Sequence, residues 1–142
     1  MARSNFENLR VYQLSELIAD EIWNIVMTWD HFAKLTIGEQ LVTAIDSVGA
    51  NIAEGAGRGT YQDNRRFVRI ARGSFMETQH FLRRAYKRKL LTDRHIAKLK
   101  PMVDELAPKL NAYLKSIGKN CAKPQSSSPT TSNDQQPPAS DN

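Results

Sequence analysis

The chain of 142 residues carries 20 Lys and Arg residues against 15 Asp and Glu, a net charge of +5, and a single cysteine, Cys121. One cysteine excludes an intrachain disulfide, and the absence of a run of about 18 apolar residues excludes a membrane-spanning helix. Because no apolar leader segment opens the sequence, we expect a cytoplasmic protein.

The first two predicted helices follow from apolar residues that recur every three or four positions. The first extends from about Asn8 to Thr28, and its predicted buried face is Val11, Leu14, Ile18, Ile22, Ile25 and Trp29. The second is predicted to start at Thr36, which would form a capping box with Glu39. It is predicted to end near Gly55, with this glycine as a left-handed C-terminal cap.

The third predicted helix is long and strongly basic. It starts at Thr60 and reaches about Lys89. A helical projection places its aromatic residues on one face and its basic residues on the other, over about 33 Å of helix. The basic residues are Arg65, Arg66, Arg69, Arg72, Arg83, Arg84, Lys87 and Arg88. Since guanidinium groups match phosphate geometry, these eight residues are the predicted nucleic-acid-binding face. The alternative is a solvated face paired in part with acidic residues.

The fourth predicted helix runs from Thr92 to Gly118 and contains Pro101 and Pro108, which predict a kink or a split. Four helices joined by short connections predict an all-α, antiparallel, up-down-up-down four-helix bundle over residues 1–119. The remaining residues, 120–142, are polar and contain no apolar run, so they are predicted to form a disordered tail.

Charge is distributed unevenly along the chain. Residues 1–57 hold three basic and eight acidic residues, a net charge of −5. Residues 58–100 hold thirteen basic and three acidic residues, a net charge of +10. Such asymmetry favours either an anionic partner or a charge-complementary neighbouring subunit.

Three sequence blocks resemble a known family. They are Phe6-Glu7-Asn8-Leu9-Arg10-Val11-Tyr12, Asn51-Ile52-Ala53-Glu54-Gly55 and Ala71-Arg72-Gly73-Ser74. Together they resemble the four-helix-bundle proteins encoded in 23S rRNA intervening sequences, over roughly residues 5–118. The resemblance implies self-assembly, since related bundles form rings of five. It also implies RNA or an RNA-handling enzyme as a partner, since a related bundle assists the reverse transcriptase of diversity-generating retroelements.

The residues around these blocks are interpreted as structural. They are Asn51, Glu54, Gly55, Arg58, Arg72, Gly73, Ser74 and Glu77. No histidine falls among them to act as a base beside a nucleophile, so packing or assembly is the favoured role. Small Gly73 and Ser74 suit close helix packing, and Glu54 is expected to pair with Arg58 or Arg72. Asn51 is expected to bond backbone groups near the end of the second helix.

Two further patterns suggest chemistry only weakly. Glu77 and His80 have the Glu-x-x-His spacing of di-iron bundles, but such sites need a second pair, so no metal or cofactor is predicted. Arg88 and His95 resemble the Arg-x(4–6)-His pattern of small helical ribonucleases.

The function predicted from the sequence is therefore a non-enzymatic oligomeric scaffold, with no catalytic residues, that binds nucleic acid, with RNA as the predicted kind. A protein-binding assembly hub, a helical ribonuclease and a ribosome-associated protein are the alternatives.

Overall fold

The computed structural model describes residues 5–119, and this part of the chain contains four long helices and no strand. A short 3-10 helix, Asn5–Asn8, precedes the first of them. The helices are α1 (Arg10–Val26), α2 (residues 31–56), α3 (Tyr61–Lys87) and α4 (Asp93–Ser116). The predicted all-α, four-helix fold is confirmed. The predicted tail over residues 120–142 lies outside the described residues.

The start of α2 differs from the prediction. The helix begins at His31 because the side chain of Asp30 accepts a hydrogen bond from the backbone N–H of Ala33 at 2.9 Å. It then passes through a π-helical segment, Lys34–Gly38, before the α-helical part, Glu39–Ala56. The predicted cap Thr36 thus lies inside the helix, where its hydroxyl donates to the carbonyl of Phe32 at 2.8 Å. The predicted capping box was wrong because a better cap lies six residues earlier.

The other two predicted caps are correct. The Thr60 hydroxyl accepts from the backbone N–H of Asp63 at 3.1 Å, and Thr92 caps α4. In α4 the capping box is completed by His95, whose Nδ1 accepts from the backbone N–H of Thr92 at 3.1 Å. Pro101 and Pro108 lie inside α4, which continues from Asp93 to Ser116 without the predicted split.

The core lies along the shared axis of the four helices. All of the apolar residues predicted for the buried face of the first helix are buried, and so are Leu41, Ile45, Val48 and Ile52 of α2. In α3 the fully buried side chains include Val68, which the helical projection had not assigned to the core, and Thr78, whose hydroxyl donates to the Ser74 carbonyl at 2.8 Å. Burial of this kind is the main favourable term in a bundle of this size.

Cross-helix contacts run in opposite order along neighbouring helices, as expected of antiparallel packing. Between α1 and α4, Arg10 pairs with Glu105 and Glu21 pairs with Lys98, each at 3.0 Å. Between α3 and α4, Arg65 bonds to Ile117 and Arg72 bonds to Asn111, so the earlier residue of α3 again contacts the later residue of α4. These contacts determine which side of α3 faces α4 and which side faces outward.

Within residues 5–119, no helix combines the length and the apolar character that crossing a bilayer requires.

Candidate nucleic-acid interface

The basic row on α3 is interrupted. No Lys or Arg occurs between Arg72 and Arg83, which leaves a gap of about 16 Å along the helix axis. The row therefore consists of a proximal basic cluster, Arg65, Arg66, Arg69 and Arg72, and a distal basic cluster, Arg83, Arg84, Lys87 and Arg88. The two clusters differ in the partners that their side chains have within the chain.

Two arginines of the proximal cluster bind α4. The Arg65 Nη1 donates to the backbone carbonyl of Ile117 at 2.9 Å, where α4 ends, and the Arg72 Nη1 donates to Asn111 Oδ1 at 3.2 Å. Both residues are half-buried. The Arg65 bond satisfies a carbonyl that the helix itself leaves unpaired. These two arginines stabilise the bundle, and their donors are partly occupied before any ligand arrives.

A third arginine of the proximal cluster covers an aromatic ring. Phe67 lies beneath two guanidinium groups, with Arg58 at 4.7 Å and Arg66 at 4.4 Å from its ring centre. Arg66 also lies 3.7 Å from Asp63. Phe67 is half-buried, and the two guanidinium groups form cation–π contacts on its ring. In this cluster only Arg69 is exposed without a hydrogen bond or ion pair to the described residues.

The distal cluster is free of such partners. None of its four side chains forms an ion pair or hydrogen bond with the part of the chain that the structure describes, and Arg83, Lys87 and Arg88 are exposed. Basic groups near the C-terminal end of a helix also interact favourably with its dipole, which gives Arg84 and Lys87 a structural benefit. Exposed Lys89 and Arg94 follow directly along the chain and add to the positive charge.

The residues of the Asn51 and Ser74 blocks meet between α2 and α3. The hydroxyls of Ser47 and Ser74 lie 3.0 Å apart, and the Asn51 side-chain amide donates to the Ser47 carbonyl at 2.8 Å and to the Ser47 hydroxyl at 3.0 Å. Asn51 therefore bonds a carbonyl in the middle of its helix, one turn back, and not at the end. All three residues are half-buried, so this polar group links the two helices beside the core.

Glu54 pairs with Arg58 one turn later, at 3.4 Å, and both side chains are about half exposed. An exposed pair of this kind contributes little to stability. Of the two partners expected for Glu54, Arg58 is thus the one that the structure shows. Glu77 is exposed and forms no ion pair within the described residues.

Gly55 and Gly73 lie in very different surroundings. Gly55 is buried inside α2 and does not form the predicted left-handed cap; among the described residues only Lys89 and Gly118 have a positive φ. A Cβ on Gly55 would lie 2.6 Å from Asn64 Oδ1 and 3.1 Å from Phe67 Cβ, so glycine permits close contact with α3. A Cβ on Gly73 would meet no atom within 4 Å. Gly73 is exposed, and it mediates no close packing with any residue that the structure describes.

The residues of the two weak chemical patterns lie at the surface of the bundle. Glu77 and His80 are exposed, and the described residues contain no group of three or more acidic, His or Cys side chains that could hold a metal ion. His95 is half-buried, and its Nδ1 is occupied by the cap of α4.

An acidic groove lies between α1 and α2. It encloses about 310 Å³ and is lined by small residues, Ala19, Gly49 and Ala50, and by three exposed carboxylates, Glu16, Asp20 and Asp46. Burial, together with the negative charge of Asp20, raises the pKa of Asp46 above its ordinary value. No cation of the described chain pairs with these three carboxylates. The groove is therefore a concentration of unneutralised negative charge.

Both basic clusters lie within the part of the chain that a family model recognises. The model described as 23S rRNA-intervening sequence protein matches residues 7–112. The chain belongs to this family. No curated protein matches the chain. The region that matches the 23S rRNA-intervening sequence protein family contains α1 to α3 and most of α4. The family relationship therefore applies to the bundle as a whole.

Sequence reasoning found the basic residues of this family member but not their division into two clusters with different roles. Arg65 was predicted only as a nucleic-acid-binding residue, and Arg72 also as a possible partner of Glu54. Their actual partners Ile117 and Asn111 could not be identified without knowing how α3 and α4 pair. The gap between Arg72 and Arg83, however, is visible in the sequence. The acidic groove was also missed, although the net charge of residues 1–57 indicated an acidic surface.

Proposed function

We propose that this protein is a non-enzymatic, closed homo-oligomer, a ring of five as in related bundles, that binds RNA in the cytoplasm through the distal basic cluster. The observation that carries this proposal is a set of four basic side chains that have no hydrogen-bond or ion-pair partner within residues 5–119: Arg83, Arg84, Lys87 and Arg88. Unpaired guanidinium groups on a rigid helix bind phosphates without first breaking an existing ion pair. Membership of a family described by 23S rRNA intervening sequences supports RNA as the nucleic acid.

Assembly strengthens the proposal because each copy would present the same cluster. Several copies on one ring engage a folded RNA simultaneously, and linked sites raise the overall affinity well above that of one site. Phosphate contacts position a protein without reading bases, so binding should be strongly salt-dependent and weakly sequence-dependent.

The experiment is a comparison of two fourfold Lys/Arg→Gln variants that lose the same charge. One replaces Arg83, Arg84, Lys87 and Arg88. The control replaces four exposed lysines of α4, namely Lys98, Lys100, Lys109 and Lys115, of which three pair with acidic residues. The probe is a labelled RNA hairpin, titrated at several salt concentrations. We expect the first variant to reduce the slope of log affinity against log salt by up to about three units.

The control variant should bind the hairpin nearly as well as the unmodified protein. Equal loss of binding in both variants would show that only net charge matters, and unchanged binding in the first variant would rule out the distal cluster. Light scattering on both variants separates loss of RNA binding from loss of assembly.

A second candidate function, the protein-binding hub, is favoured by one observation. A groove of about 610 Å³ separates the C-terminal half of α3 from α4, and its walls are largely apolar: Leu82, Tyr86, Leu91, Ile96, Leu99 and Val103. Tyr86 is exposed. If this groove binds an RNA-handling enzyme, a Leu82→Gln/Val103→Gln variant would lose that partner while RNA binding by the distal cluster persists.

A further inference from the structure

Gly73 lies at the centre of the outward face of α3, in the middle of a helix of 27 residues. Glycine is a poor helix former because it loses the most backbone freedom on folding. At Gly55 the fold requires the absence of a side chain, but a Cβ on Gly73 would meet nothing within 4 Å. The described chain therefore gives no reason for a glycine at this position, although it costs helix stability.

The neighbours of Gly73 on this face are apolar and exposed. Ile70 and Met76 lie three residues to either side, and 42% and 66% of their surfaces are accessible to solvent. Together, Ile70, Gly73 and Met76 form a central patch, which begins beside Arg69 and Arg72 and extends into the gap before the distal basic cluster. An open glycine between two exposed apolar side chains is suited to close approach by a partner. Exposed Arg66 lies one turn before Ile70 and exposed Arg69 lies directly beside it, so both add positive charge at the edge of the patch.

The acidic groove between α1 and α2 has complementary properties. The groove encloses about 310 Å³ and has small Ala19 and Ala50 in its lining, so it offers space for side chains such as Ile70 and Met76. Its carboxylates Glu16, Asp20 and Asp46 have no intrachain cation within the described residues, and Asp46 is partly withdrawn from water beside Asp20. Two like charges held close together in this way are unfavourable unless a cation neutralises them.

We infer that the central patch of one copy docks into the acidic groove of a second copy, with Arg66 and Arg69 meeting Asp20 and Asp46. The inference rests on the proposed homo-oligomer and assigns its interface. Because the two surfaces lie on different helices, the contact is heterologous, and such a contact closes into a ring when its rotation permits. The distal basic cluster stays outside this interface and remains available for phosphate.

A substitution of Gly73 distinguishes a role at the interface from a role in the helix alone, because it should stabilise the single chain but weaken the assembly. Gly73→Ala should favour the helix of the single chain, since alanine is the better helix former. At the interface, the added methyl group should raise the dissociation constant of the assembly by about tenfold or more. Introducing Gly73→Ala into the Arg69→Glu background, which we expect to be monomeric, isolates the helix effect as a raised melting temperature.

Charge reversal tests the pairing itself. Arg69→Glu and Asp20→Arg should each shift the mass measured by light scattering towards the 16.1 kDa of one chain. The double variant Arg69→Glu/Asp20→Arg should reassemble, because every interface regains one pair of opposite charges. Lys115→Glu, on the exposed surface of α4, is the matched control and should leave the mass unchanged.

The outcomes separate this inference from the proposed function. An unmodified protein that is monomeric would overturn both the homo-oligomer and the interface. An unmodified oligomer whose mass is insensitive to Gly73→Ala, Arg69→Glu and Asp20→Arg would overturn the interface alone. If these variants remain assembled but lose the RNA hairpin, the central patch belongs to the RNA surface. Loss of RNA binding in the distal variant, with assembly retained, supports both proposals.

Discussion

The indole N–H of Trp29 donates a hydrogen bond to the backbone carbonyl of Leu90, 3.0 Å away. This bond joins the turn between α1 and α2 to the turn between α3 and α4, at one end of the bundle. Trp29 is buried, whereas the other tryptophan, Trp23, is about half exposed. The two residues thus offer a matched pair for measuring what the connection contributes.

We predict that Trp29→Phe lowers the free energy of unfolding by about 1–3 kcal/mol, since it removes the donor to a half-buried carbonyl and leaves space in the core. Trp23→Phe on α1 should change stability by no more than about 0.5 kcal/mol. Urea denaturation followed by circular dichroism measures both values. Equal effects in the two variants would contradict a role for the Trp29–Leu90 bond.

The close contact at Gly55 gives a second prediction. Gly55→Ala should cost about 1–3 kcal/mol, because the new methyl group would meet Asn64 and Phe67 at the α2–α3 contact. Gly57→Ala is the control, since its Cβ would lie no closer than 3.7 Å to its neighbours and its φ of −87° suits any residue. Thermal unfolding should show a clearly lowered melting temperature for Gly55→Ala and no such decrease for Gly57→Ala. A stable Gly55→Ala variant would mean that α3 moves away without penalty.

The hydrogen bond from Arg65 to the end of α4 gives a third prediction. Arg65→Gln should lower the free energy of unfolding by about 1–2 kcal/mol, because the Ile117 carbonyl loses a charged donor at 2.9 Å. Arg94→Gln, which removes an exposed arginine at the start of α4, should be nearly neutral. Hydrogen exchange should also show faster opening of the last turn of α4 in the Arg65 variant only. Identical exchange in the two variants would argue against the contact.

The Asp20–Asp46 pair gives a prediction about pH. Burial beside Asp20 raises the pKa of Asp46, so the folded chain holds a proton there more tightly than the unfolded chain does. The contribution of Asp46 to the stability of the fold is thus greatest below the ordinary aspartate pKa, about 3.9. This contribution is lost as the pH rises through the raised pKa of the folded state. Asparagine does not ionise, so Asp46→Asn should not lose stability in this way. In a monomeric background the variant should therefore become more stable than its parent as the pH rises above the ordinary aspartate pKa.

Glu39→Gln, also exposed on α2, is the control and should show no such pH-dependent gain. The measurement is the free energy of unfolding at a series of pH values in the Arg69→Glu background. In the assembled protein we expect the opposite result, a loss of stability for Asp46→Asn, because the carboxylate would then have a cationic partner.

The four helices could be predicted from the sequence because each has a clear apolar period and two have good N-caps. Thr60 and Thr92 act locally, so their roles are evident in a short window. The start of α2 was missed because a π-helical segment shifts the apolar spacing, and because Asp30 has no glutamate three residues later to signal a cap. Val68 was missed because α3 packs against two neighbouring helices and buries a broader face than one stripe.

The site was less predictable than the fold because its properties depend on side chains from distant parts of the sequence. That Arg72 is held by Asn111, 39 positions later, follows only from the pairing of α3 with α4. Likewise, Asp20 and Asp46 belong to different helices, so their meeting in one groove follows only from the pairing of α1 with α2. Gly73 was expected to promote close packing, and only the structure shows that a Cβ there would meet no other part of residues 5–119.

The π-helical segment Lys34–Gly38 has a consequence for how the bundle tolerates changes in length. Here the Glu39 N–H bonds to the carbonyl of Lys34, five residues back, so the segment holds one residue more than an α-helical turn. Removing a residue such as Leu35, which is exposed, would restore α-helical bonding. The corner around Trp29 and the core-facing residues of Glu39–Ala56 would then keep their positions. The bundle thus carries a spare residue at a point where its chain can shorten without changing the register of its core.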